Sequence, residues 1–146
     1  MFVGMIRLSR WMMRHKLERA TIDNVIVDAS GAATIPVLAT FTGVRGLPWC
    51  YAVASNNAKP LLVVERDGLR VRVIRRRFHR YDRIACVDVR QATGTVNLEV
   101  ALNDGLLTFA ANLGTVSLAA HVLNLIPASV PLTARAAAIR GATGQR

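Results

Sequence analysis

Three consecutive arginines, Arg75, Arg76 and Arg77, lead into Phe78, His79, Arg80 and Tyr81 within the stretch RVRVIRRRFHRYDR, residues 70–83. A guanidinium group suits phosphate because its planar fork donates two parallel hydrogen bonds and keeps its charge. Phe78 and Tyr81 add ring faces that can stack on a base or wedge into a lipid interface. A plainer arrangement competes. In it one aromatic anchors the segment to the core, Asp82 pairs with a neighbouring arginine, and the other charges are solvated. The preceding alternation is unambiguous: Leu69, Val71 and Val73 face inward, so Arg70 and Arg72 face out. Arg75 to Arg80 then fall in a connection between strands, where binding residues concentrate.

Little else in the chain points to chemistry. Ser30 and Ser55 lack a G-x-S-x-G context, and no glycine-rich phosphate loop is present. The acids are dispersed: Asp67 and Asp104 sit in turns, and Glu99 shares a solvated strand face with Asn97. Catalysis is not expected. His15, His79 and His121 are scattered, and Cys50 and Cys86 form no C-x-x-C, so neither a metal site nor a cofactor is expected. Both cysteines lie in apolar, strand-like runs, which favours buried reduced thiols, with a disulfide between them left open.

The 146 residues carry a formal net charge of +10 with 52% hydrophobic and 19% charged residues, which describes one folded domain with a core. The charge favours polyanionic partners: an anionic phospholipid surface, an acidic protein or nucleic acid. A competing source is compositional, since the cations are nearly all arginine and alanine is abundant, as in GC-rich coding sequence. No run of about 18 apolar residues suggests a transmembrane helix. Arg7 and Arg10 interrupt the N-terminal apolar stretch, unlike a secretory signal. A cytoplasmic protein is expected, with peripheral attachment to the inner membrane as an option.

The elements that must position the basic segment follow from patterning. Residues 1–20 read as a basic amphipathic helix. Its apolar side is separated from Arg7, Arg10 and Arg14, which suits an anionic membrane or a partner. Packing on its own domain, a frayed tail, and a true start at Met5, Met12 or Met13 are the alternatives. Residues 21–127 read as a meander of about seven short antiparallel strands, a sandwich or partly open barrel, capped by a C-terminal helix. The strands are ATIPVLATFT with Pro36 marking an edge or bulge, WCYAVA, PLLVVE, LRVRVIR, RIACVDV, TVNLEVAL and LLTFA, with TIDNVIVDA a further candidate and SNNAK a loop. Asp-Gly pairs close two turns. In TVSLAAHVLNLI, Leu118, Val122 and Leu125 line one face opposite Ser117, His121 and Asn124. Thr115 is the N-cap and Pro127 the stop. Residues 128–146 read as a tail with one or two Ala-rich turns.

KPLLVVERDGLRVRVI, RYDRIACVDVR, VNLEVALNDGLLTFAANLG and TVSLAAHVLNLI together resemble a bacterial pleckstrin-homology (PH)-like domain over residues 33–126. The resemblance implies two nearly orthogonal sheets closed by a helix and a non-catalytic adaptor that binds phospholipid headgroups, peptides or other copies of itself. Lys59, Arg70 and Arg72 match the K-x(n)-R-x-R spacing of the lipid-binding members, although theirs spans the first hairpin. The tryptophan common in their closing helix is absent. The partners expected are an anionic phospholipid surface or an acidic protein. Self-association through the apolar runs ATIPVLATFT and WCYAVA is an alternative, and nonspecific nucleic-acid binding ranks below both. The candidate anion-binding residues are therefore Lys59, Arg70, Arg72, Arg75, Arg76, Arg77 and Arg80. Arg7, Arg10, Trp11 and Arg14 are the candidate membrane-contact residues of the N-terminal helix.

Overall fold

Period-two alternation builds two antiparallel sheets in the computed structural model. It describes residues 21–44, 54–92, 94–103 and 105–142, together with Arg14 and Glu18. Sheet I comprises β1 (Ile26–Val27), β2 (Ala33–Thr34), β5 (Leu61–Val64), β6 (Gly68–Arg72) and β7 (Arg76–Arg80), side by side in that order. Sheet II runs β4 (Ala54–Asn56), β3 (Ala39–Val44), β10 (Leu107–Asn112), β9 (Thr95–Leu102) and β8 (Ile84–Ala92). The result is a sandwich of two five-stranded sheets, not a closed barrel. Leu62, Val64, Leu69 and Val71 of sheet I meet Val87, Val89, Leu98, Val100 and Phe109 of sheet II in one buried cluster.

The described residues hold ten strands where about seven were expected, and they do not form a simple meander. Pro36 explains part of the difference. Lacking an N–H, it cannot continue a ladder, and ATIPVLATFT divides around it into β2 in one sheet and β3 in the other. Both are interior strands, flanked on each side, so this apolar run offers no free edge to a second copy. TIDNVIVDA opens as a 3-10 turn over Ile22–Asn24, leaving only two residues for β1. The expected loop SNNAK begins inside β4. WCYAVA lies outside the described residues up to Val53. The basic connection, expected to be a loop, contains a further strand, β7, which pairs with β6 from Arg72↔Arg76 to Gly68↔Arg80.

Gly68 shows a different reason for glycine than its Asp-Gly turn implies. Positive φ occurs at Gly31, Gly94, Gly105 and Gly114 but not at Gly68. Instead, a Cβ at Gly68 would collide with the His79 carbonyl oxygen and lie 2.9 Å from Arg80 Cα. Glycine is required there because β7 packs so closely.

Helix α1 (Val116–Leu125) is capped by Thr115, whose hydroxyl accepts from the Leu118 N–H at 3.2 Å, and it ends just before Pro127. Leu118, Ala119, Val122 and Leu123 enter the core, whereas Leu125 is exposed, because the buried stripe is rotated around the helix toward Ala119 and Leu123. A second helix, α2 (Ala134–Ala142), follows within the segment read as a tail. The chain reaches it by lying along β8: Val87 N–H donates to Pro131 O and Thr133 N–H to Val87 O. Asp88 clamps this junction. It accepts from the Thr133 hydroxyl at 2.6 Å and from Arg135 Nε at 2.7 Å, with a second Arg135 nitrogen on its other oxygen. The Arg135 hydrogen bond, followed by that from Thr133, holds its carboxyl down at about 2 against the opposing effect of burial.

Two stability outcomes follow from these contacts. Gly68→Ala should lower unfolding stability by at least about 1–3 kcal/mol in urea titration, since the β7 backbone must shift to admit the methyl. Asp88→Ala should cost about 1–3 kcal/mol at neutral pH. In the native protein the Asp88 contribution is complete above pH 3.8, the unfolded value, and is lost as pH falls through about 2. An acid-unfolding midpoint unchanged by Asp88→Ala would refute the clamp.

Candidate functional site

Cross-strand register sorts the arginines by face, because residues paired across a sheet share a side. Leu62, Val71 and Arg77 form one row, and Ala33, Val64, Leu69 and His79 another, both on the core side of sheet I. The outer side carries the row Ile26, Thr34, Val63, Arg70 and Phe78, and beside it Leu61, Arg72 and Arg76. The basic run is therefore the edge strand of a sheet, with Arg76, Phe78 and Arg80 on the outer face and Arg77 and His79 on the inner side of that edge. His79 is half-buried. Burial, and then the Arg77 charge, push its pKa below the ordinary value and favour neutral imidazole.

The seven candidate cations divide by what they touch. Arg70 lies 3.2 Å from a Glu65 carboxylate oxygen and 5.1 Å over the Phe78 ring, so packing and pairing both account for it. Arg80 meets Asp82 at 3.4 Å in an exposed pair. The other five, Lys59, Arg72, Arg75, Arg76 and Arg77, have no carboxylate partner among the described residues. They gather at one end of sheet I, around the β6–β7 turn.

Asn56 draws them together. Its side-chain amide donates to Val73 O at 2.8 Å and Lys59 O at 3.2 Å, while its oxygen accepts from the Ala58 and Lys59 N–H groups at 3.1 and 2.9 Å. The hydroxyl of fully buried Thr40 donates to Arg72 O at 2.6 Å. The β6–β7 turn is thus tied to sheet II by two side chains, and Lys59 is held beside it. Asp67 lies at the other end of β6, so the turn is remote from the Asp-Gly loop. β7 then runs back until Arg80 faces Gly68.

Tyr81 anchors the far end of β7. Its hydroxyl donates to Glu65 O at 2.6 Å, and its N–H donates to Asp67 O. Burial first, then the Glu65 and Asp67 charges, push the phenol up to about 12. The aromatic anchor and the Asp82 pair weighed from sequence are both present, but they involve Tyr81 and Arg80 and leave Arg75, Arg76 and Arg77 unexplained.

Sequence reasoning passed over Ile74, which is 77% exposed in the turn. The signal was available, since Ile74 has the parity of Arg70 and Arg72. Of the N-terminal candidates, Arg7, Arg10 and Trp11 lie outside the described residues, and Arg14 is exposed and helical. Cys86 is a half-buried free thiol. No described helix is long and apolar enough to cross a membrane. No protein-family model, curated protein or solved structure matches the chain.

Tyr81→Phe should remove about 1 kcal/mol by orphaning the Glu65 carbonyl. Alkaline unfolding provides the sharper check. The unfolded phenol ionises at 10 and the folded one at about 12, so the native protein loses stability as pH rises between those values. That component of the pH profile should be missing in Tyr81→Phe.

Proposed function

We propose that this chain is a non-catalytic, PH-like adaptor domain that attaches peripherally to an anionic membrane surface through the β6–β7 hairpin. The observation that carries the reading is the set of five cations around one turn, Lys59, Arg72, Arg75, Arg76 and Arg77, with no acid paired to them among the described residues. Three arginines elsewhere are matched, Arg90 with Glu99, Arg135 with Asp88 and Arg70 with Glu65. Arg66 and Arg140, also without a carboxylate partner among the described residues, stand singly away from this turn. Each cation close to an anionic bilayer contributes about 1 kcal/mol, so a cluster suffices for reversible attachment without a headgroup pocket. Two antiparallel sheets followed by a core-packed helix support the PH-like part of this reading.

Self-association is the second reading and fits less well. β7 is an open sheet edge, but Arg76, Arg77 and Arg80 along it would repel a second copy of themselves. Nonspecific nucleic-acid binding uses the same charges and is separated by assay.

Co-sedimentation with vesicles containing phosphatidylglycerol, against pure phosphatidylcholine, should recover the protein only with the anionic lipid. Replacing Arg75, Arg76 and Arg77 together by Glu should weaken that recovery by at least about a hundredfold, given about 1 kcal/mol per cation removed. Their exposure means that the thermal melt should be unchanged. Equal recovery on neutral and anionic vesicles would end the membrane reading. A steeply salt-dependent shift of duplex DNA without vesicle binding would favour nucleic acid, and a defined oligomer without either ligand would favour self-association.

A further inference from the structure

The hairpin that carries Arg72, Arg75, Arg76 and Arg77, with Lys59 held beside it, also carries the most exposed large apolar side chain among the described residues. Val73, just past the end of β6, is buried in the core, and Ile74 follows it in the turn at 77% exposure. The turn cannot relax to hide it. The Arg72 and Val73 carbonyls on its approach are held by Thr40 and Asn56 at 2.6 and 2.8 Å. Other exposed apolar residues lack this setting. Leu106 lies in the β9–β10 turn, Leu107 begins β10, and Ile26 and Val27 form the short edge strand β1, none of them on the turn that Arg72, Arg75 and Arg76 flank.

Resting on the anionic-surface reading, we infer that Ile74 is a membrane-inserting apex. The hairpin enters tip first, so that Ile74 reaches the boundary between headgroups and acyl chains while Lys59, Arg72, Arg75 and Arg76 remain at the phosphate level. The two kinds of side chain divide the labour. Cations attract any polyanion, whereas an isoleucine at the apex gains only where there is apolar material to bury it, so it separates a bilayer from nucleic acid. A β-branched side chain on a braced turn also loses little rotamer freedom when it inserts.

Two variants test this on the full chain. Ile74→Ser should weaken binding to phosphatidylglycerol vesicles about tenfold, from the apolar area lost. Retention on heparin should not change, nor should the thermal melt. In a Trp11→Phe, Trp49→Phe background, Ile74→Trp should give an emission that shifts to the blue on anionic vesicles. Lipids brominated near the top of the acyl chain should quench it. If anionic vesicles still sediment both variants at the parent affinity while the introduced indole stays unquenched, insertion is wrong and electrostatic adhesion stands. If the unmodified protein does not sediment with anionic vesicles at all, the adhesion reading and the apex fall together.

Discussion

The hydroxyl of Thr40 is fully buried and donates to the Arg72 carbonyl, and the rest of the basic hairpin depends on that contact. A strand that ends at the rim of a sandwich leaves carbonyls without ladder partners, and a buried one needs a donor. Thr40 on β3 supplies it for Arg72, and Asn56 on β4 supplies it for Val73. Both donors belong to sheet II. The end of β6 is thereby stitched to the opposite sheet, and the turn that follows projects from a fixed corner instead of moving as a free loop.

This stitching connects two properties that would otherwise be unrelated. The core holds Val73 inside, and Ile74 follows it outside. The same corner gathers Lys59, Arg72, Arg75 and Arg76, none of them paired with an acid among the described residues. Matched arginines serve the fold: Arg135 fastens α2 to β8 through Asp88, and Arg70 packs on Phe78 while paired with Glu65. The unmatched ones contribute self-repulsion to a chain already at +10, a cost that binding to an anionic surface would relieve.

Much of the architecture was legible because alternation and punctuation act locally. TVNLEVAL became β9 residue for residue, Thr115 capped α1, and Leu69, Val71 and Val73 turned inward. The misreadings share a cause. β7 has no apolar alternation of its own, because it is an edge strand with one flank in water. Its existence depends on hydrogen bonds to β6, which composition does not encode. The segment after Pro127 looked like a tail because Ala-rich helices carry weak stripes. Its order comes from the Asp88 clamp and a single buried methyl at Ala136, both long-range.

The amino-acid sequence by itself determined the β character, the capped helix, the excess of positive charge and the outward parity of Arg70, Arg72 and Ile74. These depend on residue type and short-range spacing. Only the tertiary structure decided that Pro36 passes the chain from one sheet to the other, that the arginine run forms a strand, and which cations are paired. Carboxylate partners and carbonyl donors arrive from distant segments: Asn56 reaches Val73 across 17 positions, and Thr40 reaches Arg72 across 32. Spacing along the chain carries no record of such meetings, because they are set by how two sheets pack.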